Sequence, residues 1–219
     1  MPFFRYLCIA LELCALIIGS YYFKNLKQKF LFLYFYVMLG VCTDLFNLVL
    51  IKLDTHNLWV SHIYFPLEFV LMALFYRPYL APVIKPRWIT VIISIFLLFS
   101  IINAAFIQSL TEYSRIRVLS SIILLLFSFI YFYKVFNVAK SINLRTDPLM
   151  WVNSSVLLFY SSVFFFGISV NVIMKTSEKT ASFLSNINTS FIALFYLLVV
   201  IAFMMEGRKN VASARMSLE

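Results

Sequence analysis

The chain has 219 residues, of which 63% are apolar, 19% aromatic and only 12% charged, and its mean hydropathy is +0.95. A water-soluble domain carries roughly 25% charged residues, so the composition places this chain in a bilayer. It excludes a soluble enzyme, a disulfide scaffold and, despite a net charge of +9 and a pI near 9.5, a nucleic-acid-binding module.

A hydrocarbon core about 30 Å thick takes about 20 apolar residues per helix. Polar interruptions cut the sequence into seven such segments, near 3–23, 30–52, 59–76, 88–107, 115–136, 149–174 and 183–205. Their apolar runs are continuous rather than alternating, which argues against a β-barrel. The expected fold is all-α: a polytopic seven-helix bundle in one domain, residues 1–206, followed by a short basic tail, 207–219.

The first helix holds Glu12 near its middle. Lys24, Lys27 and Lys29 follow its apolar stretch instead of preceding it, so it is read as a retained helix rather than a cleaved signal. Cys8 and Cys14, with Cys42 in the second helix, lack metal-site spacing and act as small hydrophobes. No metal or other cofactor is expected. In the second helix Asp44 and Asn47 are three apart and share a face, with Thr43 beside them.

The third helix starts at the interfacial Trp59 and carries Tyr64 and Glu68, four apart on one face. His62 lies six residues before Glu68, so the two point some 120° apart at about 100° per residue. It is read as an interfacial side chain reaching headgroups. Pro66 should bend this helix. The fourth helix contributes Asn103. The fifth opens on Arg115 and Arg117 and carries Ser121 and Ser128. On the sixth, Asn153, Tyr160, Gly167 and Asn171 fall within roughly 40° of one line and form a polar stripe that should face inward. The seventh offers Asn186, Thr189 and Ser190 on one side, with Ser182 just before it.

Orientation follows from Lys and Arg, because short basic loops stay in the cytoplasm. Twelve of the 18 fall in the loops after helices one, three and five and in the tail: Lys24, Lys27, Lys29, Arg77, Lys85, Arg87, Lys134, Lys140, Arg145, Arg208, Lys209 and Arg215. The amino terminus is therefore expected outside and the carboxyl terminus in the cytoplasm, in a plasma membrane or, in a prokaryote, the inner membrane. Trp88, Trp151, Tyr21, Tyr22, Tyr76, Tyr131 and Tyr133 are read as an aromatic belt on the inner side.

An ionisable group at mid-membrane costs about 2.5–3.5 kcal/mol on insertion scales unless it faces protein or water. Glu12, Asp44 and Glu68 are such groups, and Arg115 and Arg117 could reach toward them by snorkelling. Asp44, Asn47, Asn103, Asn171, Asn186 and Asn188 lie in the outer halves of their helices, whereas Phe, Leu, Ile and Val dominate the inner halves. That distribution suggests a polar pocket open to the outside above an apolar plug, with Glu68 and Glu12 at its floor. The candidate ligand-binding residues are Glu12, Asp44, Asn47, Tyr64, Glu68, Asn103, Tyr160, Asn171 and Asn186. For an isolated Asn or Ser, interhelical hydrogen bonding is the simpler explanation; a carboxyl group is more than such packing needs.

Several functional classes lose support. A retinal photoreceptor needs a Schiff-base lysine, which the seventh helix lacks. A zinc hydrolase needs several intramembrane histidines, a channel needs a charged ring or carbonyl filter, and a transporter commonly shows internal repeats with broken helices. The remaining reading is a receptor-like or accessory membrane protein that binds a small or lipidic ligand and acts through a membrane or cytoplasmic partner. A carboxylate-dependent lipid hydrolase and a small proton-coupled transporter are the alternatives. Beyond the lipid bilayer and that ligand or signalling partner, no partner is expected, and in particular no nucleic acid.

Overall fold

A computed structural model describes residues 2–81, 83–138, 146–173 and 178–216. Among these are seven α-helices and no strand: α1 (Pro2–Tyr21), α2 (Gln28–Lys52), α3 (Val60–Leu80), α4 (Pro86–Ile102), α5 (Ile116–Val138), α6 (Pro148–Ile173) and α7 (Glu178–Met216). Five are long and apolar enough to cross a membrane: α2, α4 with the π-helical turn that extends it to Ile107, α5, α6 and α7. In α1 the described apolar stretch is Tyr6–Tyr21. The 21-residue α3 carries His62, Glu68 and Arg77, and its interior faces the protein.

Local chemistry sets the helix ends. Proline opens α4 and α6, where its missing N–H removes a donor that has no helical partner anyway. Asp147, just before α6, accepts a hydrogen bond from the Leu149 N–H at 3.1 Å, satisfying another free donor. At the end of α2, Asp54 adopts a left-handed conformation (φ 51°). The Thr55 N–H then bonds the Leu50 carbonyl and the Asp54 N–H the Ile51 carbonyl, the paired bonds of a Schellman C-cap.

Contacts between side chains give each helix its direction. Tyr36 meets Glu68 and Phe30 meets Phe75, while Ser162 meets Asn188 and Phe159 meets Phe195, so α2 runs antiparallel to α3 and α6 to α7. Residues 12, 19 and 22 of α1 and the turn after it lie against 196, 203 and 207 of α7, so the first and last helices pack parallel. The succession α1–α2–α3–α5–α6–α7 closes back on α1, and α4 packs on α3, where the Phe69 and Phe96 rings stand 4.0 Å apart. We call the end that carries the N-termini of α1, α3, α5 and α7 the upper end.

The core runs the length of the helices, from Phe30, Leu33 and Phe75 below to Phe159, Phe195 and Tyr196 above. Two of the expected belt tyrosines belong to it. Tyr76 is 0% and Tyr131 2% exposed, because each finds a hydrogen-bond acceptor inside: Asn153 Oδ1 at 2.7 Å for Tyr76 and Asp147 Oδ2 at 3.2 Å for Tyr131. Tyr21, Tyr133 and Trp88 are exposed as a belt requires. The lower half is accordingly not a plain apolar plug. The Asn153 amide also donates to the Ser128 carbonyl and the Ser128 hydroxyl to the Asn153 carbonyl, and the Lys134 ammonium donates to the Tyr79 carbonyl at 2.8 Å.

The segment expected as a tail is helical as far as Met216, since Met, Glu, Arg, Lys and Ala all favour a helix. Tertiary contacts hold its first part. The Asn210 amide donates to the Asn25 carbonyl, and Gly207 sits directly against the Tyr22 ring with no room for a Cβ. We predict that Gly207→Ala lowers stability by about 1–3 kcal/mol, the usual cost of overpacking. The intact protein's thermal unfolding in detergent measures this, and an unchanged midpoint would exclude the contact.

Candidate functional site

Glu68, on α3, is 3% exposed. Its Oε1 accepts hydrogen bonds from the Tyr36 hydroxyl of α2 and the Tyr160 hydroxyl of α6, each at 3.0 Å. One carboxylate oxygen thus joins three helices. Tyrosine suits this task because its ring packs as a hydrophobe while its tip donates a hydrogen bond.

A second acid–tyrosine contact lies toward the other side of α2. Glu12 Oε1, on α1, accepts from the Tyr196 hydroxyl of α7 at 2.8 Å. Gly40 permits this meeting. A Cβ there would stand 2.7 Å from Glu12 Oε1 and 2.9 Å from the Tyr196 hydroxyl. Asp44, one turn farther along α2, lines the same groove as Glu12.

Of the cavities toward the upper end, three are lined by charged side chains. One of about 180 Å³ lies between α2, α3 and α5, and its polar lining includes Asp44, Asn47, Asn57, Ser61, Tyr64 and Arg117. A groove of about 280 Å³ between α1, α2 and α7 has Glu12, Asp44, Asn47 and Thr189 as polar lining, set among leucines and isoleucines. Asp44 and Asn47 line both spaces. The largest, about 630 Å³, lies between α5, α6 and α7 beside the segment leading into α5. It shares Tyr113 and Arg117 with the first.

Arg117 is the cation at this junction. Its guanidinium lies 4.8 Å from the centroid of the Phe65 ring and 5.9 Å from that of Phe159, within the range of cation–π attraction. It also donates to the Tyr113 hydroxyl. The two ion pairs described are Lys27–Glu206 and Arg115–Glu112, and neither involves Arg117. No group of three or more His, Cys, Asp or Glu side chains assembles into a metal cage among the described residues.

Of the candidate residues, Glu12, Asp44, Asn47 and Tyr64 come together around these spaces. Tyr160 and Glu68 are bonded to each other within the core and line none of the three, so Glu68 is not an open floor. Asn103 is elsewhere: it donates to Gln108 Oε1 at 3.2 Å, and that oxygen also accepts the Arg115 N–H, tying the end of α4 to the start of α5. Asn186 lines none of the three cavities, and its carbonyl accepts from Ser190. The Asn171 side chain, like Lys140, Arg145 and Lys175, lies outside what is described.

His62 departs from its expected headgroup contact. It is 7% exposed, and its Nε2 lies 2.9 Å from the Glu112 carbonyl. Its ring thus ties α3 to the segment before α5. The sequence reading also passed over Tyr36, Tyr196 and Glu206. Tyr36 precedes Gly40 and Asp44 by four and eight residues, the spacing of one helix face, and that was the available signal. Glu206 is buried beside Asn210 and Lys27; it stands one residue beyond the expected end of the seventh helix.

In comparisons with known proteins, no family model matches the chain, and neither a curated protein nor a solved structure matches it.

The Glu68 contacts yield a test. Glu68→Gln keeps an acceptor oxygen for both tyrosines and should cost less than about 1 kcal/mol, whereas Glu68→Leu leaves the Tyr36 and Tyr160 hydroxyls only each other, at 3.5 Å, and should cost about 1–3 kcal/mol for the one donor left without an acceptor. Thermal unfolding of the two variants in the same detergent separates them, and equal loss in both would contradict the acceptor role.

Proposed function

We propose that this protein is a multi-pass membrane protein of receptor-like or accessory type. It binds a small or lipidic ligand among the upper cavities and passes the effect to a membrane or cytoplasmic partner. The observation that carries this reading is the convergence of Asp44, Asn47, Tyr64 and Arg117, from three helices, on one space. Ligand sites pair a mostly apolar wall with a few convergent polar groups, and intramembrane ionisable residues cluster at functional sites.

On this reading all seven helices span the bilayer. α1 and α3 join the five long apolar ones because they pack side by side with them. The basic residues of the lower end, among them Lys24, Lys27, Lys29, Arg77, Lys85, Arg87 and Arg208, face the cytoplasm under the positive-inside rule, so the cavities open outward. The membrane is the plasma membrane, or the inner membrane of a bacterium. The basic lower face is where a cytoplasmic partner would dock.

The adjacent Glu12 and Asp44 carboxyls favour a second reading. Two acids lining one groove can serve as proton donor and acceptor, which a carboxylate-dependent lipid hydrolase would use. Loss of lipid turnover by purified protein on Asp44→Asn would support it over the first.

Cysteine scanning in a cysteine-free background tests the main reading. A cysteine at His56 should react with a membrane-impermeant maleimide on intact cells, while one at Lys27 should react only after lysis; the reverse pattern inverts the topology. Cysteines at Asn47 or Asn57 should be modified by a small water-soluble thiosulfonate at least about tenfold faster than one at Glu68, since only water-lined positions present the reactive thiolate. Equal rates would remove the water-accessible cavity.

A further inference from the structure

The largest upper cavity has a chemical character that the smaller ones lack. Its charged lining is Arg115, Arg117 and Glu112, and Glu112 is already paired with Arg115 at 3.4 Å. The remaining charge is the Arg117 guanidinium. Two donors at this site are buried without a hydrogen-bond partner among the described residues: Arg117 Nε and the hydroxyl of Ser114. Ser114 is 2% exposed.

A buried donor left unbonded costs about 1–3 kcal/mol. Here a hydroxyl and a guanidinium N–H are left so in the lining of one cavity, at the start of α5, where the helix dipole adds positive potential. All three features favour an oxyanion. The rest of the lining is Val118, Val163, Phe166 and Gly167 with one amide, Asn188, whose Oδ1 already accepts from the Ser162 hydroxyl at 3.2 Å. At about 630 Å³ the volume falls in the range of small-molecule sites, about 300–1,000 Å³.

We infer that this cavity holds an anionic amphiphile, a carboxylate or phosphate on an acyl or alkyl chain, with Arg117 and Ser114 on the oxyanion and Val118, Val163 and Phe166 along the chain. The inference rests on the ligand-binding reading above and supplies its ligand class. Arg117 belongs to both this cavity and the smaller one lined by Asp44. An anion drawn to the guanidinium therefore acts at the wall between the two spaces.

The test uses the full-length protein in phosphatidylcholine discs, titrated calorimetrically with laurate, dodecyl phosphate, uncharged dodecanol and inorganic phosphate, with empty discs subtracted. Laurate and dodecyl phosphate should bind about tenfold or more tighter than dodecanol, the scale of a charge-assisted hydrogen bond, and tighter than inorganic phosphate. Arg117→Gln should erase that preference, Arg117→Lys should keep part of it, and Ser114→Ala should weaken both anions severalfold. Dodecanol binding as tightly as laurate, or a preference that survives Arg117→Gln in a folded protein, overturns the inference and leaves the cavity reading standing. Uptake of none of the amphiphiles overturns both. Inorganic phosphate binding as tightly as dodecyl phosphate makes the ligand a soluble anion and overturns the amphiphile. Should Arg117→Gln fail to fold, Ser114→Ala decides: an unchanged preference there overturns the inference.

Discussion

A carboxyl group placed among hydrocarbon-facing helices has to find its hydrogen bonds inside the protein, and Glu68 finds them on two tyrosines from two other helices. Hydrocarbon supplies no competing donors, so this contact fixes how far α2 and α6 can slide along α3. The Glu12–Tyr196 bond sets the register of α1 against α7 in the same way. Both contacts are specific in geometry where the surrounding Leu, Phe and Val packing tolerates small displacement. The register of the helices thus depends on acids that an apolar bundle would otherwise exclude.

Packing along α2 is uneven, and the cavities follow from that. Its first half buries Phe30, Leu33, Tyr36, Val37 and Val41. Beyond Gly40 the side chains turn outward, and Leu45, Phe46, Val49 and Ile51 are exposed apolar groups, as lipid contact requires. Asp44 and Asn47 lie in this loosely packed half, with a space on either side of them. Elements with few buried contacts open at low free-energy cost, so the polar residues best placed to meet a ligand sit on the part of α2 least tied to the core.

The apolar runs announced the helices because a bilayer leaves few other structures for them. Phase along α2 was also legible: Asp44 and Asn47 line the same two spaces. What one helix cannot show is which neighbour it faces. Tyr76 and Tyr131 look like interfacial anchors by depth, yet Asn153 and Asp147 on α6 and before it draw them inward. Asn103 looks like its companions, yet the π-helical turn brings it onto Gln108. Arg117 was visible as a residue able to reach inward, but its two aromatic neighbours and its unbonded Nε depend on the meeting of α3, α5 and α6. Depth and charge could be read along the chain; pairing between helices could not.

The parallel seam between α1 and α7 bears on how the protein is made. Tyr196 is synthesised 184 residues after Glu12, so during translation the first helix enters the membrane long before its tyrosine exists. Asp44, on the very next helix, lines one groove with Glu12 in the folded protein, but the hydrogen bond that Glu12 accepts comes from the last helix. The first helix therefore brings into the membrane a costly polar group whose hydrogen-bond donor arrives only when the last helix packs against it and closes the ring.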